Sequence, residues 1–489
     1  MLWDAPPAML FTSPVFLFLF LPLVLGAHSV VGRRLRNGLL LAASLLFYAW
    51  GEGAFVLGLC GSIAANYLFG RALDAPRRRT GVLAVAVATN LALLGVFKYA
   101  AFLVDNLNAA AAVIGVAPLH LAPVHLPIGI SFFTFHALSY LIDVSRRRVR
   151  AQRSPIDFGL YITLFPQLIA GPIVRYHDVA AQLAGRTVRR ERFAAGVRRF
   201  VLGLGKKTLI ADTLALPADA IFALPPASLT ASLAWAGALL YTLQIYCDFS
   251  AYSDMAIGLA RMLGFEFLEN FDYPYVSRSV TEFWRRWHIS LSRWFRDYLY
   301  IALGGNRRGT LRTCLNLVTV FFLCGLWHGA SWTFVVWGLF HGAFLVLERA
   351  GLGSRLACLP APLRHAYTLA VVVVGWVLFR APTLAVAGAF LAAMAGFGHG
   401  SGLEYRLDLY GGPDVALAVV AGVLASTPLV PLLARRVADA VDQLRPARAA
   451  VGLEVAAAAA EVAALAAVFV ASGAAVAAST YNPFIYFRF

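Results

Sequence analysis

Residues 316–347 read NLVTVFFLCGLWHGASWTFVVWGLFHGAFLVL. Two apolar limbs, Leu315–Leu326 and Trp332–Leu347, flank the turn Trp327-His328-Gly329 and together make a hairpin suited to a lipid bilayer. The turn places one imidazole among apolar residues. Ionisable groups at membrane depth are costly and rare, so such a residue is read first as a functional site. Histidine exchanges a proton near neutral pH, which suits acyl or proton transfer. A buried structural histidine, bonded to a neighbouring helix, is the other reading, and these residues alone leave both open.

The rest of the chain repeats the hairpin's character. Of 489 residues, 60% are hydrophobic and only 13% charged, with a mean hydropathy of +0.73. Soluble domains carry about 25% charge. Recurrent apolar runs near bilayer-spanning length predict an all-α, polytopic bundle, one integrated domain over residues 1–489. Its core motifs lie in 126–348 and its last spans in 365–489. The formal net charge of +16 comes from short basic loops between apolar runs. That is the pattern of cytoplasmic loops beside anionic lipid, and with no basic tail or nucleic-acid motif it excludes nucleic acid as a partner. The five cysteines are scattered without metal-ligand spacing, which predicts neither a disulfide framework nor a metal site.

Topology follows from charge. Phe11–Leu25 has no preceding Lys or Arg, whereas Arg33, Arg34 and Arg36 follow it, so it reads as a first spanning helix with its N-terminus outside. Further basic clusters fall at 71–79, 146–153, 186–207, 278–312, 349–355 and 435–448, and one parity makes all of them cytoplasmic. About twelve crossings result. In this scheme Val82–Phe97 crosses, Tyr99–Val116 stays outside or re-enters, and Leu126–Val144 returns. Two crossings fit between Thr208 and Gly264, and Thr383–Phe397 lies on the outer interface. Pro166, Gly171 and Pro172 interrupt Asp157–Val174, which reads either as a re-entrant, broken helix or as a kinked span.

The densest polar region is Tyr246–Arg312. Asp248 and Asp254, with Ser250 and Ser253 between them, predict a segment facing a polar cavity; Asp248 reads as a structural partner of arginines, and Asp254 as structural or at the site. In Thr281–Tyr300, Phe283, Trp287, Leu291, Trp294 and Tyr298 recur at helical steps, predicting an amphipathic interfacial helix with aromatic anchors. Arg285, His288 and Ser292 share another face of it, with Arg286 alongside. A basic, histidine-bearing face suits the phosphates of an activated donor such as coenzyme A; lipid headgroups are the alternative. Gly304–Gly309 reads as a basic connector rather than a phosphate loop, and His341 and His136 as core histidines. No G-x-S-x-G elbow is present, which argues against a self-contained serine esterase.

These motifs resemble the membrane-bound O-acyltransferases, most closely the branch that O-acetylates alginate, other exopolysaccharides and peptidoglycan. The matching stretches are FLFLPL at 18–23, LPIGISF at 126–132, FPQLIAGPI at 165–173, the run from Asp248 to Gly342 with RRWHISLS and LWHG, and the ending NPFIYFRF. The resemblance assigns the family's near-universal histidine to His328 and its second histidine to His288. It implies a bundle around a central cavity reached from both faces. It also implies acetyl-CoA as a cytoplasmic donor with no bound cofactor, a bacterial inner-membrane location, and a periplasmic acetyltransferase or acetyl-accepting protein as partner. Arg285, Arg286, Ser292, Asp254 and Trp327 are then expected to line the cavity or hold the donor, and His328 to act as general base or as transient acyl carrier. D-alanyl or other acyl transfer to an envelope polymer, a transporter, and a recruiting scaffold are the competing functions.

Overall fold

A computed structural model describes residues 9–75, 79–443 and 447–478; the NPFIYFRF ending lies outside the described residues. Among the described residues all regular structure is helical. The chain runs through α1 (Phe16–Val30), α2 (Arg36–Glu52), α3 (Phe55–Asp74) and α4 (Arg79–Val113). It continues through α5 (Ile130–Ser145), α6 (Pro155–Thr163), α7 (Phe165–Leu168), α8 (Tyr176–Ala184), α9 (190–222) and α10 (Ala231–Met262). Short helices α11 (Val280–Arg286) and α12 (Ile289–Trp294) precede the hairpin α13 (Thr310–His328) and α14 (Trp332–Leu347). The remainder is α15 (Ala361–Arg380), α16 (Leu384–Phe397), α17 (Pro413–Ala425), α18 (Leu429–Gln443) and α19 (Ala447–Ala478).

The core forms around two helices that other elements enclose on most sides. Nearly every residue of α5 is buried, as is most of α10, whose 32 residues reach about 48 Å. The opposite case is α19, which is long, apolar and almost uncovered by protein. The hairpin carrying His328 is sealed by backbone contact. A side chain at Gly325 would collide with the Phe334 carbonyl, and one at Gly338 with the Phe321 carbonyl. Small residues let membrane helices approach this closely.

Among the described residues six helical stretches are long and apolar enough to cross a bilayer: those of α3, α4, α13, α15 and α19, and Trp332–Ala357, which continues α14; the α17–α18 pair, bent by 67°, makes a seventh if it is one span. Phe16–Val30, Ile130–Ser145 and Leu384–Phe397 are shorter apolar helices. Several local expectations change. Val82–Phe97 and Tyr99–Val113 lie on one 35-residue helix, Arg79–Val113, because a wide π-helical turn at Gly95–Tyr99 carries the chain on without a break. The basic cluster 186–207, expected as a loop, is helical from Arg190 and continues into the next helix through the turn Lys206–Ala211. Asp157–Val174 takes the broken form: α6 stops at Leu164, α7 lasts one turn, and the whole stretch packs inside protein. Thr383–Phe397 is a helix whose Phe390 stacks on Phe222 with ring centroids 4.2 Å apart.

Candidate active site

His328 is the last residue of α13. The final carbonyls of a helix have no partner within it. Here Tyr99 Oη donates to Leu326 O at 2.8 Å, and Lys98 Nζ to Trp327 O at 2.5 Å and His328 O at 3.3 Å. The imidazole is packed edge-on among rings, with centroids of Trp327, Trp337 and Phe379 at 5.0, 5.1 and 5.3 Å. Gly329 leaves room for the Phe334 ring directly beside the turn. A cavity of about 170 Å³ meets the histidine, lined also by Lys98, Gly129, Ser131, Ile169 and Trp327.

His288 reaches the same place from another element. It joins α11 to α12 with φ +44°, a left-handed conformation unusual for a non-glycine residue, and its side chain is wholly buried. Asn270 fixes it. Its Oδ1 faces His288 Nδ1 at 3.2 Å and accepts from Ser290 N at 3.1 Å and Ser290 Oγ at 2.8 Å. With a side-chain carbonyl opposite, Nδ1 carries the proton and Nε2 keeps its lone pair. Ser290 Oγ accepts in turn from Ile173 N at 3.0 Å, tying the broken α6–α7 segment to the same node. The Trp327 ring lies 5.0 Å from His328 and 6.3 Å from His288, between two buried imidazoles from separate parts of the chain.

The model of the membrane-bound O-acyltransferase family matches residues 85–389, a span that holds Lys98, Asn270, both histidines and Phe379. The chain belongs to this family. A Pseudomonas putida protein named probable alginate O-acetylase AlgI is 47% identical, covering 98% of this chain and all of its own length. A Helicobacter pylori peptidoglycan O-acetyltransferase is 35% identical over 79% of this chain and 80% of its own. A Streptococcus thermophilus teichoic acid D-alanyltransferase is 29% identical over 47% and 58%. The protein is therefore a multi-pass membrane O-acyltransferase, and the transporter and scaffold readings fall away.

For this acyltransferase the structure brings together His328, His288 and Trp327, but not the other expected residues. The helix drawn through Thr281–Tyr300 breaks at His288, so Arg285, His288 and Ser292 share no face. Its apolar face is core rather than a set of interfacial anchors: Phe283, Trp287, Leu291, Trp294 and Tyr298 are all buried, and Trp294 stacks on Phe135 at 3.8 Å. Ser292 Oγ donates to Trp284 O at 3.1 Å, stapling α12 to α11. Arg285 is exposed. Arg286 binds Asp272 at 2.9 Å and Glu282 at 3.0 Å, and lines a separate cavity of about 800 Å³ with Arg278, Arg349, Arg364 and Glu348. Asp254 is held by Arg199 at 2.8 Å and Lys206 at 2.5 Å, in a third cavity that shares no lining residue with that of His328. Asp248 has a structural partner, Lys207 at 2.8 Å, a lysine where arginine was expected. His341 packs between Trp284 and Trp337, and His136 lies in the α5 core.

Beyond α12, Asp297 pairs with Arg175 and Arg296. Partial burial raises its pKa, but the hydrogen bond and charge of Arg296, with Arg175 at 2.7 Å, outweigh this and leave it lowered. Sequence reading missed two residues, Lys98 and Asn270. Lys98 had a signal, a cation in the middle of an apolar run. Asn270 had none, since its role depends on a contact 18 residues away in an irregular segment.

Proposed function

We propose that this protein is an O-acetyltransferase of the bacterial inner membrane. It takes acetyl groups from acetyl-CoA at its basic face and supplies them for O-acetylation of an extracytoplasmic polysaccharide through a periplasmic partner. The relatives named for alginate and peptidoglycan O-acetylation support the acyl group and the acceptor class. The observation that carries the reading is the pair of buried histidines around Trp327, at the end of the hairpin remote from the arginine-lined cavity.

In this reading Arg286 acts with Arg278, Arg349 and Arg364, whose guanidinium groups suit the phosphates of the donor, while exposed Arg285 adds general charge. The thioester end extends inward to the histidines. His328 accepts the proton of the acceptor hydroxyl as its oxygen attacks the acetyl carbonyl. The C–S bond then breaks, and the proton passes to the departing thiolate. His288, oriented by Asn270, lines the reacting centre.

The test is ester-linked acetate released by mild base from envelope and exopolysaccharide fractions. Cells carrying the intact chain, a deletion or His328→Ala are compared at equal membrane abundance. Loss in one fraction for both the deletion and His328→Ala is expected, and that fraction names the polymer. Retained ester in His328→Ala rejects the catalytic assignment, and no change in any fraction rejects acetyl as the acyl group.

A further inference from the structure

We infer that Lys98 is a positioning residue for His328: its ammonium group holds the last turn of α13, and with it the imidazole, in register with the cavity. This rests on the reading of His328 as the acylating site. Lys98 Nζ has three N–H donors, and three acceptors surround it: Trp327 O at 2.5 Å, His328 O at 3.3 Å and Ser131 Oγ at 3.4 Å. No donor is left over for a substrate, so the lysine acts through the helix end rather than on the reacting atoms. It joins α4, the start of α5 and the end of α13 at one point.

Two features separate this from ordinary packing. Among the described residues no carboxylate lies within ion-pair distance of Lys98, and its other close contact is the Trp327 ring at 5.9 Å. A cation at such depth without a counter-ion is expensive, and methionine would fill the space at lower cost. What lysine supplies that methionine does not is a positive end for the negative pole of α13, where partnerless carbonyls would otherwise draw water to the histidine. The π-helical turn Gly95–Tyr99 is the second feature. It lets two consecutive residues, Lys98 and Tyr99, reach the same helix end, and such turns recur at functional sites.

The experiment compares Lys98→Met, Lys98→Gln, Lys98→Arg and His328→Ala in the full-length protein in cells, reading ester-linked acetate per molecule at equal membrane abundance and the melting temperature of each solubilised variant. Lys98→Met is expected to lower acetylation by about 10²-fold, the scale of an ångström-sized misplacement, with its melting temperature close to that of the intact chain. Lys98→Gln, with donors but no charge, should fall between, and Lys98→Arg should recover most of the activity. Near-normal acetylation in Lys98→Met while His328→Ala is inactive overturns the positioning role alone. Parallel loss of melting temperature and activity, without recovery in Lys98→Arg, also overturns it, leaving a purely structural lysine. An active His328→Ala removes the functional reading on which the inference stands.

Discussion

The cavity at His328 and the cavity at Asp254 are opposites in chemistry. The Asp254 cavity is crowded with charge, but its charges satisfy one another: Arg199 bonds both Asp254 and Glu269, and Lys206 bonds Asp254 and donates to Ser250 Oγ at 3.0 Å. The His328 cavity has a single formal charge, Lys98, and that charge is spent on backbone carbonyls. The ion cluster is complete in itself, with Glu269 open to solvent at its edge, whereas a reactive group must keep capacity for a substrate. Charge density along the sequence therefore leads toward the scaffold, and the sparse cavity is the one to which the proposed function assigns the chemistry.

The largest expected break in this contrast comes from substituting one member of each cavity. His328→Ala should abolish acyl transfer, about 10³-fold or more, with little change in folded protein. Asp254→Asn should do the reverse, losing about 2 kcal/mol of stability while activity per folded molecule stays within about twofold. The pair is read by acetylation normalised to membrane abundance together with thermal unfolding. Collapse of normalised activity in Asp254→Asn would merge the two cavities into one site. A smaller effect belongs to Asn270→Ala, which frees His288 Nδ1 and the Ser290 node. Roughly tenfold slower transfer is expected, with the apparent donor affinity unchanged in a concentration series. The smallest effects separate neighbouring arginines. Arg286→Gln should raise the donor concentration needed for half-maximal rate by about five- to tenfold, and Arg285→Gln by less than about twofold, as expected of an exposed charge. Equal effects would point to diffuse attraction rather than a formed pocket.

The hairpin was readable in the sequence because its signal is local: two apolar limbs, a glycine-flanked turn and one imidazole. His288 was readable as a residue but not as a place. The aromatic spacing from Phe283 to Tyr298 continues across the break, since both short helices bury their rings, and periodicity cannot show a left-handed residue that turns the chain between them. The π-helical turn near Lys98 hid in the same way, inside an uninterrupted apolar run. Lys98 meets Trp327 across 229 positions and Trp294 meets Phe135 across 159, distances at which pattern has nothing to offer. Arg285 and Arg286 look alike in the chain and differ only in what folds over them.

The glycine-to-backbone seal between α13 and α14 bears on how the protein is made. Two limbs that close on each other through backbone contact can enter the lipid as one unit, which brings His328 in with the turn and leaves Lys98 and Phe379 to fix its imidazole. His288 has no such route, because its short helices are held by Asn270, Ile173 and α5, which have to be assembled around them. The two imidazoles therefore meet only once those elements have docked.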